Sequence, residues 1–279
     1  MISKIKIPMS QPASDSDTEN YMFDVIKSGW WSQGKITKQF EKNLSEYFPS
    51  NVVVVNNGTS AITAALLAHG IKPGDKVVVP DYTFIATCSA AKIIGAEILV
   101  ADVDPNTLNV KPQSIEKLVK ENDVKAVMVV DMAGLPVDLE PIIELSKRYK
   151  FVLIEDAAQA IGSEYKNKKI GSFEHTSTFS FTAAKIITTI EGGCITTGNK
   201  DILEKLFQIR NFGRSGDGQY VHILNSVNFR FNDIQAALGI KQLEQINKFI
   251  ARRIEIAKMY EENIENVTFQ HTPDYTTTH

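Results

Sequence analysis

Short apolar runs recur along the chain: "NVVVVNNG" (51–58), "DKVVVPD" (75–81), "AEILVADVD" (96–104), "VKAVMVVDMAG" (124–134) and "KFVLIEDAA" (150–158). They are apolar at successive positions instead of alternating, the pattern of parallel strands covered on both faces. Between them, "SAITAALLAHG" (60–70), "TFIATCSAAKIIG" (83–95), "SIEKLVKEN" (114–122) and "LEPIIELSKRY" (139–149) carry helical spacing, and the first two end at a glycine suited to close a helix. This βαβα order predicts an α/β fold on an open, mostly parallel sheet flanked by helices. Two further strands are expected at Ser177 to Phe181 and Cys194 to Thr197. From Asn232, suited as an N-cap, a long helix or helix pair follows, its apolar stripe marked by Ile234, Leu238, Leu243, Ile246 and Ile250. "GWWSQGKITKQFEKNLSEYF" reads as a glycine-rich loop and an amphipathic helix.

Composition narrows function more than fold. With 279 residues the chain is expected to form one large domain and a smaller appendage. Its 30 basic and 33 acidic residues nearly balance, and without a basic run there is no case for nucleic acid. No stretch approaches the roughly eighteen apolar residues of a membrane span. The amino terminus lacks the pattern of a signal peptide, so a cytoplasmic protein is expected. Cys88 and Cys194 show no metal or disulfide pattern and read as small core residues. The five histidines, His69, His175, His222, His271 and His279, have no metal-ligand spacing, so no metal site is expected. The dinucleotide fingerprint, the P-loop and the serine nucleophile elbow are absent as well.

In open α/β sheets ligands bind at the carboxyl ends of the strands, which selects the polar residues to consider. The strand "FVLIE" delivers Asp156 and then Gln159; a helix N-cap is the plainer role for the acid. The strand "VVVV" delivers Gly58, Thr59 and Ser60 at the start of a helix. Free backbone N–H groups, two hydroxyls and the positive helix end suit a phosphate there. Lys185 lies on the connection between two later strands, where a solvated loop lysine is the ordinary reading. A phosphate cradle, a strand-end acid and a loop lysine are together what pyridoxal 5'-phosphate requires. The lysine forms a Schiff base with the aldehyde, and the acid keeps the pyridine nitrogen protonated. Phe84, just past another strand, could cover the ring, with core packing as its alternative.

At this point a resemblance becomes specific. The stretches "SGWWSQGKITKQFE", "NNGTSAITAAL", "GDKVVVPDYTFIAT", "GAEILVADVDPNTLNV", "IEDAAQAIGSEYKNKKIGS", "STFSFTAAKIITTIEGGCITT" and "VNFRFNDIQAALGIKQL" resemble, in order, the DegT/DnrJ/EryC1/StrS family of sugar-nucleotide aminotransferases. The resemblance implies an aspartate-aminotransferase-like large domain (PLP fold type I) and amino transfer from an amino acid, glutamate foremost, to a nucleotide-linked keto-sugar. It implies that Lys185 carries the cofactor and the transferred proton. Asp156 would partner the pyridine nitrogen and Gln159 the hydroxyl side of the ring. Gly58, Thr59, Ser60 and Ser180 would hold the phosphate, with Phe84 stacked on the ring. Asn228 would reach the phosphate of a neighbouring subunit, which implies a homodimer. Residues 1–235 would form the cofactor-binding domain with its N-terminal arm. Residues 236–279 would hold a bridging helix and the start of a smaller C-terminal domain that is largely missing, with Val267 to Phe269 opening a strand.

Two departures from the family pattern stand out. "VDMAG" puts Asp131-Met132 where a histidine is common, at a place expected to bear on substrate contacts. Ile190 replaces a common glycine, a change expected to be tolerated. Two other activities fit less well. A sugar deoxygenase of the same family would carry histidine at Lys185, and a non-catalytic or regulatory relative would not need Lys185, Asp156 and Ser180 together.

Overall fold

The computed structural model describes residues 10–216 and 220–278. Most of the amino-terminal stretch read as lacking a signal peptide, and all of His279, lie outside these residues. Two helices come first, α1 (Ser16–Lys27) and α2 (Lys35–Tyr47). A first alternation gives β1 (Asn51–Val55), α3 (Gly58–Ala68), β2 (Lys76–Pro80), α4 (Ile85–Ile93) and β3 (Glu97–Ala101). It continues through α5 (Pro112–Glu121), β4 (Val124–Val130), α6 (Leu139–Tyr149) and β5 (Val152–Asp156). After the short strands β6 (Glu164–Tyr165) and β7 (Lys168–Lys169) come β8 (Thr176–Ser180), β9 (Gly193–Thr197) and α7 (Lys200–Arg210). The helix pair α8 (Asp233–Glu244) and α9 (Ile246–Asn263) and the strand β10 (Thr276–Thr277) complete the chain.

The central sheet runs β1-β9-β8-β5-β4-β2-β3. Its pairs are parallel except those of β9, which is antiparallel to both β1 and β8. The successive apolar positions are explained by two cores, one on each face. Val53, Val55, Ala126, Met128, Ile154 and Ile195 pack with α3, α4 and α7. Val52, Val54, Val127, Val129, Leu153 and Cys194 face α2, α6 and α8 instead. Alternate residues of one strand therefore serve opposite cores. The free edge of β1 is closed by charge: Val54 N–H donates to Glu41 Oε1 at 3.0 Å, and Arg210 donates to the Val54 carbonyl at 2.9 Å. Glu41 and Arg210 pair with each other, so the edge of β1 is tied to α2 and α7.

Asn232 caps α8 as expected, accepting from Gln235 N–H at 2.9 Å. The next residue does something the sequence did not suggest. Asp233 accepts from the N–H groups of Gly34 and Thr37 at 2.8 and 2.9 Å, capping a helix about two hundred residues earlier in the chain. The expected strand at Val267 to Phe269 does not form. Without a neighbouring strand to pair with, the segment runs as irregular chain, and β10 instead pairs antiparallel with β6. Both cysteines are free; Cys194 is buried and Cys88 half-buried. Among the described residues no helix is long and apolar enough to cross a membrane.

Candidate active site

The carboxyl ends of β1, β2, β4, β5 and β8 converge on one cleft of about 1000 Å³. Its walls include Gly58, Thr59, Ser60, Phe84, Asp156, Gln159, Ser180 and Lys185, so eight of the nine site residues expected from the sequence meet in one place. Lys185 reaches it from the connection between β8 and β9. That loop is anchored by Phe181 N–H on the Gly192 carbonyl at 2.8 Å and Thr189 N–H on the Phe181 carbonyl at 2.9 Å. Ile187, buried below, leaves Lys185 above it at the cleft.

Asp156 ends β5 and is buried. No helix follows, so its role as an N-cap is ruled out. Its Oδ2 accepts from the Thr87 hydroxyl at 2.7 Å, and its Oδ1 from Ala158 N–H at 3.2 Å. Burial pushes this carboxyl up, against the pull of those two hydrogen bonds and of the Lys185 charge. The Lys185 amine moves the other way. Burial pushes it down, Asp156 opposes the shift and Arg253 reinforces it. A depressed lysine spends more of its time as the free amine, the form that attacks a carbonyl.

The opening of α3 supplies the anion cradle. Asn57 Oδ1 takes the N–H of Ser60 at 2.7 Å, while no described acceptor takes those of Gly58 and Thr59. Gly58 lies so close to Ser180 that a Cβ on it would fall 2.9 Å from the Ser180 Cβ. Only glycine lets the start of α3 come this close to the Ser180 side chain. Phe84 is 68% exposed, so its ring is not core but a free face at the cleft wall. Gln159 Oε1 accepts from Ala133 N–H at 3.0 Å. These groups fit pyridoxal phosphate: an open helix start with hydroxyls, a buried acid, an aromatic face and an amine in one cleft.

Asn228 stands apart from the other eight. It is exposed, does not line the cleft, and its carboxamide oxygen accepts from Arg230. Asp131, at the departure expected to bear on substrate contacts, is buried, and by strand alternation it shares the face of Val127 and Val129, which pack in the opposite core. Two participants were missed. Thr87 is fully buried, and its hydroxyl is an inward polar group on an otherwise small-residue helix face, a legible signal. Arg253 lines the smaller cavity on the other side of Lys185, which no local pattern announces. Among the described residues no group of three or more metal-ligating side chains exists.

A profile of the DegT/DnrJ/EryC1/StrS aminotransferase family matches residues 12–279. The chain is 36% identical to the GDP-perosamine synthase of Caulobacter vibrioides, covering 93% of this chain and 70% of that one. It is 39% identical to the GDP-perosamine synthase of Escherichia coli O157:H7, covering 95% and 73%. A Streptococcus pneumoniae protein described as a sugar aminotransferase, solved in a PLP form, superposes with a TM-score of 0.89 at 27% identity, covering 98% of this chain and 76% of that one.

Proposed function

Since the chain belongs to the DegT/DnrJ/EryC1/StrS aminotransferase family, we propose that its cleft binds pyridoxal phosphate through Lys185 and serves amino transfer from glutamate to a keto-sugar carried on a nucleotide. The enzyme is a pyridoxal-phosphate-dependent aminotransferase of nucleotide sugars, of the kind used in polysaccharide biosynthesis. The observation that carries the residue assignment is the convergence of Lys185, Asp156 and the Gly58–Ser180 contact on one cleft. When bound, the cofactor supplies an aldehyde for amine exchange and a ring that accepts electron density. Gly58, Thr59, Ser60 and Ser180 hold its phosphate. Asp156, oriented by the Thr87 hydroxyl, would partner the ring nitrogen, and Gln159 the hydroxyl side. Phe84 excludes water from one ring face. Lys185 Nζ would take and return the proton that passes between the substrate carbon and the cofactor in each half of the reaction.

Asn228, turned away from its own cleft, suits a role in the cleft of a second copy, so the reading includes a cytoplasmic homodimer with composite sites. It also takes residues 1–235 as the cofactor-binding unit and 236–279 as the bridge out of it. The test is borohydride reduction of the cofactor-loaded protein followed by peptide mapping, together with a half-reaction against a panel of nucleotide keto-sugars. A reduced adduct on Lys185, lost in Lys185→Ala, is expected. Asp156→Asn should still form that adduct while amino transfer falls by orders of magnitude. An adduct on another lysine, or native turnover in Asp156→Asn, overturns the assignment.

A further inference from the structure

One pair of buried acids has no part in the chemistry above. In β5, Asp156 faces the cleft, and strand alternation turns Glu155 to the opposite face. Val130 is paired in register with Asp156, so Asp131, one residue on, falls on the Glu155 side. Neither side chain reaches water: Asp131 and Glu155 are both 0% exposed.

Their oxygens divide into satisfied and orphaned halves. Asp131 Oδ1 accepts from Val137 N–H at 3.0 Å. Glu155 Oε2 accepts from the Ser177 hydroxyl at 2.7 Å and lies 3.2 Å from His175 Nε2. Asp131 Oδ2 and Glu155 Oε1 are buried without a donor among the described residues. The register brings the two carboxyls together on one face of neighbouring strands, because Glu155 is paired with Val129, two residues before Asp131. Two ionised carboxylates cannot face each other in a dry interior, because burial and mutual repulsion both oppose the second charge. One proton between them removes the repulsion and satisfies both orphaned oxygens at once.

We propose that Asp131 and Glu155 share a single proton, held on Asp131, and that this acid–carboxylate contact positions the turn 131–137 beside the cofactor strand. The turn has much to hold. Asp131 N–H donates to the Asp156 carbonyl at 3.2 Å, and Ala133, at φ +56°, presents its N–H to Gln159. Asp131 is thus a positioning residue for the cleft wall. Burial, then the Glu155 charge, then that of Asp156 push its carboxyl well above the usual range. The charged and titratable groups around the pair are Asp156, on the far face of the same strand, and His175, against Glu155.

The sign follows from linkage. The folded protein holds a proton that the unfolded chain releases above about pH 4, so stability falls as pH rises until Asp131 ionises in the fold. The experiment is denaturant unfolding of the cofactor-loaded wild type, Asp131→Asn and Glu155→Gln across pH. Above about pH 5, for as long as Asp131 stays protonated in the fold, the wild-type folding constant should fall about tenfold per pH unit more steeply than that of Asp131→Asn. An amide at either position can donate to the remaining carboxylate without a shared proton, so both variants should fold. Infrared difference spectra of wild type minus Glu155→Gln should show a carboxylic-acid C=O stretch persisting at neutral pH. In activity, the alkaline limb of the wild-type profile should move upward in Asp131→Asn; this arm alone rests on the proposed function. Identical pH dependence of stability in the wild type and Asp131→Asn, or no acid band in the wild type, overturns the proposal. The infrared arm decides the matter should Asp131→Asn fail to fold.

Discussion

Gly58→Ala puts the anion cradle to a quantitative test. The added Cβ would fall 2.9 Å from the Ser180 Cβ and 3.1 Å from its Oγ. Carbon atoms ordinarily meet at about 3.5–4.0 Å, so the start of α3 and the end of β8 must separate by about 0.6 Å or more. Overpacking of this kind costs about 1–3 kcal/mol, and alanine returns up to about 1 kcal/mol through helix propensity. The net loss of stability is therefore about 0–3 kcal/mol. The loss of cofactor affinity comes on top of that. Both sides of the anion site move apart, and losing one hydrogen bond to a charged group costs about 1.5–3 kcal/mol, roughly 10- to 150-fold in affinity.

The assay is titration of the cofactor-free protein with pyridoxal phosphate, followed by visible absorbance, beside thermal unfolding without cofactor. A second variant separates clash from chemistry. Adding Ser180→Gly to Gly58→Ala removes the atoms that the new Cβ meets, so stability should recover while affinity, short of one hydroxyl, recovers only in part. Affinity within about threefold of wild type in Gly58→Ala would refute the argument, because the phosphate would then be held elsewhere.

Two further outcomes follow from single observations. Ile190 is β-branched, 58% exposed and sits at φ +72°, in the left-handed region that costs such a residue about 1–2 kcal/mol. Ile190→Gly should therefore raise stability by about 1 kcal/mol and the melting temperature by about 2 °C, as read by calorimetry; a lower melting temperature would mean that the exposed side chain contributes packing after all. For the composite site, mixing Asn228→Ala with Lys185→Ala chains after mild dissociation should restore turnover that neither has alone, and no recovery in a verified heterodimer would count against it.

The parts of the fold legible in the sequence were those set by neighbours along the chain. Successive valines at 52–55 and 77–79 marked strands, and Asn232 marked a helix start, because burial on two faces and a local cap both leave a local trace. The reversed direction of β9 left none, since "GCITT" reads the same in either orientation. Helix α7 did leave a trace that was passed over: Asn199 caps it through Asp201 and Ile202 N–H. Contacts across sequence distance were silent. Nothing near Gly34 shows that Asp233 will cap α2, and nothing near Lys185 shows that Arg253 of α9 will adjoin it. Ile190 shows the reverse case. Its departure from a common glycine was visible, but only the backbone angle reveals that the loop holding Lys185 carries strain.

The same distinction bears on Asp131. In one dimension it is an acid at a strand end, as Asp156 is, and only its departure from the family pattern sets it apart. What separates them is parity. Asp156 and Val130 stand side by side on the cleft face, and the next residue of β4 must point away from it. A position one step past the last cleft-facing residue therefore answers to the opposite core, where Glu155 already waits with an orphaned oxygen. A histidine there, as is common in the family, would meet Glu155 as a donor. An aspartate in the same place can do so only by bringing a proton. On that proposal, the departure from the family pattern changes the protonation of the sheet beside the cleft. Its expected signature is therefore a proton count, read in stability against pH.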